Sequence, residues 1–176
     1  MNAFGAVLFL GFVGLMIWAI CKSFINSSER KQTIEEQKQK FNAVDCAELK
    51  HNSGLPFPEG VPVEVFYGKE KITFKKDEQI ATVDYSKIRS IDVITGSELK
   101  KDVATGAIAG KYIIGGLAGA AVGALLATST YLVIGYESNN ENKTVILDTA
   151  MSGLFSNRIQ KFYKENFKQT EKTIEL

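Results

Sequence analysis

The sequence predicts an α+β protein. An N-terminal transmembrane helix should lead into an antiparallel β-barrel or sandwich, which carries a glycine-rich helical hairpin insert and ends in an amphipathic helix. Three observations predict this. Residues 4–21 carry no charge. From Val61 onward apolar residues recur at every second position, the period of a half-buried strand. Ala104 to Ala127 reads ATGAIAGKYIIGGLAGAAVGALLA, a run of small residues with glycines at four-residue spacing.

The first element is the uncharged run from Phe4 to Cys21. It is about 18 residues long, near the minimum that crosses a bilayer. No Lys or Arg precedes it, so it lacks the basic start of a cleaved signal peptide and reads as an uncleaved anchor over residues 1–26. Trp18 sits near one end, where interfacial aromatics settle. Lys22, Arg30, Lys31, Lys38 and Lys40 all follow the run. The positive-inside rule then predicts a single-pass protein of the cell membrane, with its N-terminus outside and its domain cytoplasmic.

Residues 27–58 are polar and rich in helix formers, and predict a helical linker. Ser27 or Ser28 would cap its start. Ile34 and Phe41 are one heptad apart, but Glu48 takes the next place, so no coiled coil follows. Asn52-Ser53-Gly54, then Pro56 and Pro58, end the helix. His51 falls in this linker and is expected to be solvated. Cys21 and Cys46 are expected to be free thiols, and Cys21, just past the apolar run, is also a candidate for palmitoylation.

Residues 59–170 form the expected domain, with a short tail over 171–176. Val63, Val65 and Tyr67 mark one strand, and Ile72 and Phe74 a second. Ala81, Val83 and Tyr85 are the buried face of a third, and Ile88, Ile91, Val93 and Ile94 belong to a fourth. Gly68–Glu70 and Asp77-Glu78 turn the chain between them. Tyr131–Tyr136 and Thr144–Leu147 make a later hairpin. A helix over 152–167 presents Phe155, Ile159, Phe162, Tyr163 and Phe167 on one face.

The glycine-rich insert covers 103–128. As one helix it would be about 36 Å long at 1.5 Å per residue, enough to cross a bilayer. The strands before and after it could then not share a sheet. A hairpin with its tip at Gly115-Gly116 resolves the conflict, with arms of roughly 15–18 Å. Gly106, Gly110, Gly115, Gly119 and Gly123 then fall where small residues let helices pack closely. Lys111 favours a shallow position, because mid-bilayer placement costs about 2.5–3.5 kcal/mol.

This order of elements resembles the bacterial pleckstrin-homology-like domains. The stretch VPVEVFYGKEKITFKKDEQIATVDYSKIRSIDV looks like their opening strands, and LFSNRIQKFYKENF looks like their closing helix. Six strands are legible where that fold has seven. The resemblance implies a binding or assembly module and carries over no catalytic residue. It also makes Lys69, Lys71, Lys75 and Lys76, around the first two hairpins, the candidate contact for an anionic lipid headgroup.

Composition narrows the function further. Twenty-one basic and 20 acidic residues give a net charge of +1, which supplies no field for nucleic acid. A lone histidine and two distant cysteines offer no metal-ligand spacing. GAIAGKYI is one residue short of a P-loop and has Tyr112 where Ser or Thr is needed. Asp84, Asp92 and Asp148 are scattered, and are expected in surface or capping roles. No catalytic residue, cofactor or metal is expected. The expected function is a non-enzymatic, membrane-anchored binding or scaffolding module that self-associates or engages lipid through its glycine-zipper hairpin. Its partners would be membrane lipids, further copies of itself and an unidentified protein. The alternative is a membrane-perturbing effector whose hairpins assemble into a pore.

Overall fold

In a computed structural model of the chain, the described residues are 16, 18, 32–104, 126–150 and 152–167. The chain divides into two compact units, Met1–Lys40 and Phe41–Leu176. In the first, residues 32–40 are helical (α1), with a Lys38–Glu35 ion pair at 3.0 Å along one turn.

The second unit is built on one antiparallel sheet. Its strands are β1 (Ala43–Ser53), β2 (Pro62–Gly68), β3 (Lys71–Lys76), β4 (Gln79–Asp84), β5 (Ile88–Thr95), β6 (Thr130–Ser138) and β7 (Glu141–Asp148), with helix α2 (Gly96–Ala104) after β5 and α3 (Gly153–Asn166) after β7. The spatial order is β4-β3-β2-β1-β7-β6-β5. A four-strand meander and a three-strand meander therefore meet along β1 and β7.

That order forces the sheet to roll. β4 and β5 are its two edges, yet only the 3-10 turn Tyr85–Lys87 separates them in sequence. Laid flat, seven strands at about 4.8 Å spacing would hold the edges about 29 Å apart, about twice the reach of the extended chain from Asp84 to Ile88. The inner face of the roll is the core: Leu49, Val65, Ile72, Phe74, Ile91, Leu132, Ile134, Val145 and Leu147 are all buried there. Helix α3 adds Phe155, Ile159 and Tyr163 to the same core, with Phe162 and Phe167 half-buried beside them. Tyr85 stacks on Phe167 at 4.2 Å between centroids and lies near Phe162 and Tyr163. Arg158 of α3 binds Asp45 of β1 at 2.6–2.7 Å.

Three expectations are corrected. Among the described residues no helix is long and apolar enough to cross a membrane. The fold class is an α+β unit on a seven-stranded sheet. The N-terminal transmembrane helix, the single-pass topology and the cell-membrane location are withdrawn. The uncharged run is near the lower limit of spanning length, and most of it, like the insert glycines, lies outside the described residues.

The helical linker is corrected next. Helix α1 ends at residue 40, Asn42 turns the chain with φ of 50°, and residues 43–53 are the strand β1. This is the strand missing from the sequence reading. Its inner residues, Ala47, Leu49, His51 and Ser53, alternate with outward Glu48 and Lys50. β1 is flanked on both sides, by β2 and β7. Pairing on both edges outweighs the weak strand propensity of Asp, Ala, Glu and Lys.

The third correction concerns His51, which is 1 % exposed rather than solvated. Its Nε2 accepts the Leu55 N–H at 3.1 Å, and its Nδ1 lies 3.0 Å from the Pro58 carbonyl. Both contacts are hydrogen bonds only if Nδ1 carries the proton, so the network assigns the neutral Nδ1–H tautomer. The His51 backbone bonds Val61 and Gly60 across the same loop. The ring thus pins the 54–61 loop from within, edge-on to buried Phe57.

Candidate functional site

The feature that the fold singles out is the neck where the end of β5 and the start of α2 meet residues 126–130 ahead of β6. β5 and β6 pair without a break from Ser90–Gly135 to Thr95–Thr130. The pairing continues past the strand ends. Gly96 N–H donates to Ser129 O at 2.9 Å, and Ser97 N–H donates to Ala127 O at 3.0 Å. Tyr131 Oη accepts the Leu126 N–H at 2.9 Å. From the far side, Thr149 bonds the Thr130 carbonyl through both its N–H and its hydroxyl. The excursion therefore starts and ends at one place, on neighbouring strands. A segment whose ends lay on opposite sides of a bilayer could not have this neck.

Local sequence explains the geometry. Thr95-Gly96-Ser97-Glu98 is a capping box. Thr95 Oγ1 accepts the Glu98 N–H at 3.2 Å, and the Glu98 carboxylate accepts the Thr95 N–H at 2.9 Å and its hydroxyl at 2.8 Å. The bond from the Thr95 N–H, then that from its hydroxyl, holds the Glu98 carboxyl below its ordinary range. Gly96 is required for another reason. A Cβ there would stand 2.1 Å from the Leu126 carbonyl oxygen. Leu99, one turn into α2, is fully buried and fixes the direction in which the helix departs. The T-x-x-E spacing was readable in the sequence and marks the start of α2.

Elsewhere the described surface offers two shallow pockets. One, of about 250 Å³, lies over β1 and is lined by Glu48, Lys50, Gly60, Pro62 and Asp148. The other, of about 290 Å³, lies between the start of β5 and the β6–β7 turn, with Lys87, an Arg89–Glu137 ion pair, Asn139 and Asn140. Both fall below the roughly 300–1,000 Å³ typical of sites for organic ligands. Among the described residues no group of three or more His, Cys, Asp or Glu is placed to hold a metal ion.

The residues singled out from sequence are dispersed. Lys69 and Lys71 lie at one end of β3, and Lys75 and Lys76 at the other, about 13–17 Å away at 3.3 Å per residue. Lys75 binds Glu64 and Lys76 binds Asp77, each at 2.8 Å. These contacts satisfy two of the four cations locally. Asp148 accepts the Ala150 N–H at 2.8 Å and closes the turn after β7. Asp84 precedes the 3-10 turn, and Asp92 lies 3.5 Å from the Gln160 amide. Gly106, Gly110, Gly115, Gly119 and Gly123 lie outside the described residues. Cys46 lies half-buried on β1 and forms no disulfide among the described residues.

Sequence reasoning missed one further feature, the Tyr85 hydroxyl. It is buried among aromatic rings with no hydrogen-bond partner among the described residues, and burial raises its pKa well above the ordinary range. No family model matches the chain, and neither curated proteins nor solved structures include a match to it.

Proposed function

We propose that this chain is a non-enzymatic scaffolding module that self-associates through its glycine-rich segment, residues 103–128, held out from a pleckstrin-homology-like unit. The neck carries the reading. Its hydrogen bonds join Gly96 and Ser97 to residues 127 and 129, so the chain on either side of that segment is tied to one base, which supports the reading. The order of a four-strand meander, a three-strand meander and a closing helix supports the kinship, and β1 supplies the seventh strand. The glycine spacing supports helix-to-helix contact between copies.

Sedimentation and chemical crosslinking of the full chain test the reading. Gly115→Leu, Gly119→Leu and Gly123→Leu are each expected to weaken self-association and to leave the circular dichroism of the unit unchanged. Unaltered crosslinking in all three variants rejects it.

A further inference from the structure

The two edges of the sheet are treated differently. Among the described residues β5 pairs only with β6, and side chains cap some of the backbone groups on its other side. Tyr163 Oη donates to the Ile88 carbonyl at 3.1 Å, Gln160 donates to the Ile91 carbonyl at 3.3 Å, and Glu98 accepts the Thr95 N–H. Among the described residues β4 pairs only with β3. Its sequence, Gln79-Ile-Ala-Thr-Val-Asp84, holds no Lys, Arg or Pro, the residues that commonly guard an edge, and Ile80 is 49 % exposed.

The register shows which backbone groups β4 leaves open. Lys71 to Lys76 pair with Asp84 to Gln79 without a shift, and the Tyr85 N–H donates to the Glu70 carbonyl as the next pair of the same ladder. In an antiparallel ladder alternate residues exchange both bonds with the neighbouring strand, and those between direct both groups away. Counting back from Tyr85, residues 83, 81 and 79 bond to β3. Ile80 and Thr82 therefore direct both N–H and C=O outward, and Asp84 its N–H. The Asp84 carbonyl begins the 3-10 turn. Among the described residues these outward groups have no hydrogen-bond partner.

We propose that the open edge of β4 pairs antiparallel with β4 of a second copy, on a two-fold axis through Thr82. This is a surface separate from the glycine-rich segment. In this register Thr82 faces the partner's Thr82, a favourable cross-strand pair. Ile80 faces the partner's Asp84, and Ala81 faces the partner's Val83, so no like charges stand opposite. Moving the axis to Ala81 sets Asp84 against the partner's Glu78, which is repulsive. The edge is thus complementary to itself in this register. The pairing is isologous and closes as a dimer.

Disulfide trapping tests this in the full chain carrying Cys21→Ser and Cys46→Ser. Hydrogen-bonded antiparallel pairs hold their Cα atoms about 5.5 Å apart, within disulfide range. Thr82→Cys is expected to give an oxidised dimer, and Asp77→Cys, at the β3–β4 turn, is not. Thr82→Lys, at an exposed position, sets two ammonium groups face to face. It is expected to raise the dimer dissociation constant roughly tenfold or more with circular dichroism unchanged. No dimer from Thr82→Cys, equal dimer from both cysteines, or an unchanged mass distribution for Thr82→Lys overturns the proposal. A β4 edge that instead captures an extended peptide of another protein gives the first of these results. Adding Gly115→Leu separates the two surfaces: the Thr82→Cys dimer is expected to persist, and its disappearance overturns an independent edge.

Discussion

Replacing Gly96 by alanine tests the neck directly. The new Cβ would lie 2.1 Å from the Leu126 carbonyl oxygen, 3.0 Å from its carbon and 3.1 Å from the Tyr131 ring. The first two atoms are backbone, so the chain must move by about 1 Å to restore ordinary contact. That shift strains three hydrogen bonds: Gly96 to Ser129, Ser97 to Ala127 and Leu126 to Tyr131. At about 0.5–1.5 kcal/mol net each, their loss amounts to about 2–4 kcal/mol. Alanine returns at most about 1 kcal/mol through helix propensity, since Gly96 begins α2. The expected net destabilisation is therefore about 1–3 kcal/mol. Gly153 is the control, because it also begins a helix and a Cβ there meets nothing within 4 Å. Gly153→Ala is expected to be neutral or stabilising by up to about 1 kcal/mol. Urea unfolding followed by circular dichroism reads both, as a shift in midpoint at constant slope. Hydrogen exchange at the Ser97 amide should accelerate in Gly96→Ala alone. Coincident unfolding curves for the two variants would refute the close approach at the neck.

Other predictions concern single side chains. His51→Phe keeps the buried ring but abandons the Leu55 N–H and the Pro58 carbonyl. It should destabilise the unit by about 1–3 kcal/mol, and limited proteolysis should then cut first within 54–61. Tyr85→Phe removes a buried hydroxyl that bonds to nothing among the described residues, so thermal unfolding should be unchanged or shifted upward by the equivalent of about 1 kcal/mol. Unfolding at lower temperature would reveal a partner for that oxygen. The carboxyl of Glu98 is held below its ordinary range by its bonds from Thr95, so its contribution is present at neutral pH. That contribution is lost as pH falls through and below the ordinary carboxylate range. Glu98→Gln, which cannot titrate, should flatten the acid limb of protection at the Thr95 amide; an unaltered limb refutes the box.

Much of the second unit was legible because its strands obey period two. Val63, Val65 and Tyr67, and likewise Ala81, Val83 and Tyr85, turn the expected residues inward. The spacing of Phe155, Ile159 and Tyr163 likewise gave the buried face of α3. β1 was not legible, for a physical reason. Leu49 is the only large apolar residue on its inner face, and Ala47, His51 and Ser53 fill the rest. A strand paired on both sides can take such a sequence because its neighbours supply the apolar surface. His51 was misread for the same reason. Its burial depends on Leu55 and Pro58 folding back over it, which no local pattern announces. Phe66, on the face of β2 opposite Val65 and Tyr67, is also buried, at 5.0 Å from Phe41, a contact that period two does not announce. The return of the glycine-rich excursion was inferable from sheet continuity, whereas its closing contacts at Gly96 were not.

The place of β1 bears on how the unit is made. Its partners are β2, which follows within ten residues, and β7, whose Leu147 pairs with His51 at a separation of almost a hundred. During synthesis the first four strands emerge as a ready meander, but β1 must wait with one side unsatisfied until β7, almost a hundred residues later, has left the ribosome. The seam between β1 and β7 therefore cannot close before then. Contacts so distant along the chain make for slow folding, and they leave the nascent protein most exposed to mispairing at its own centre.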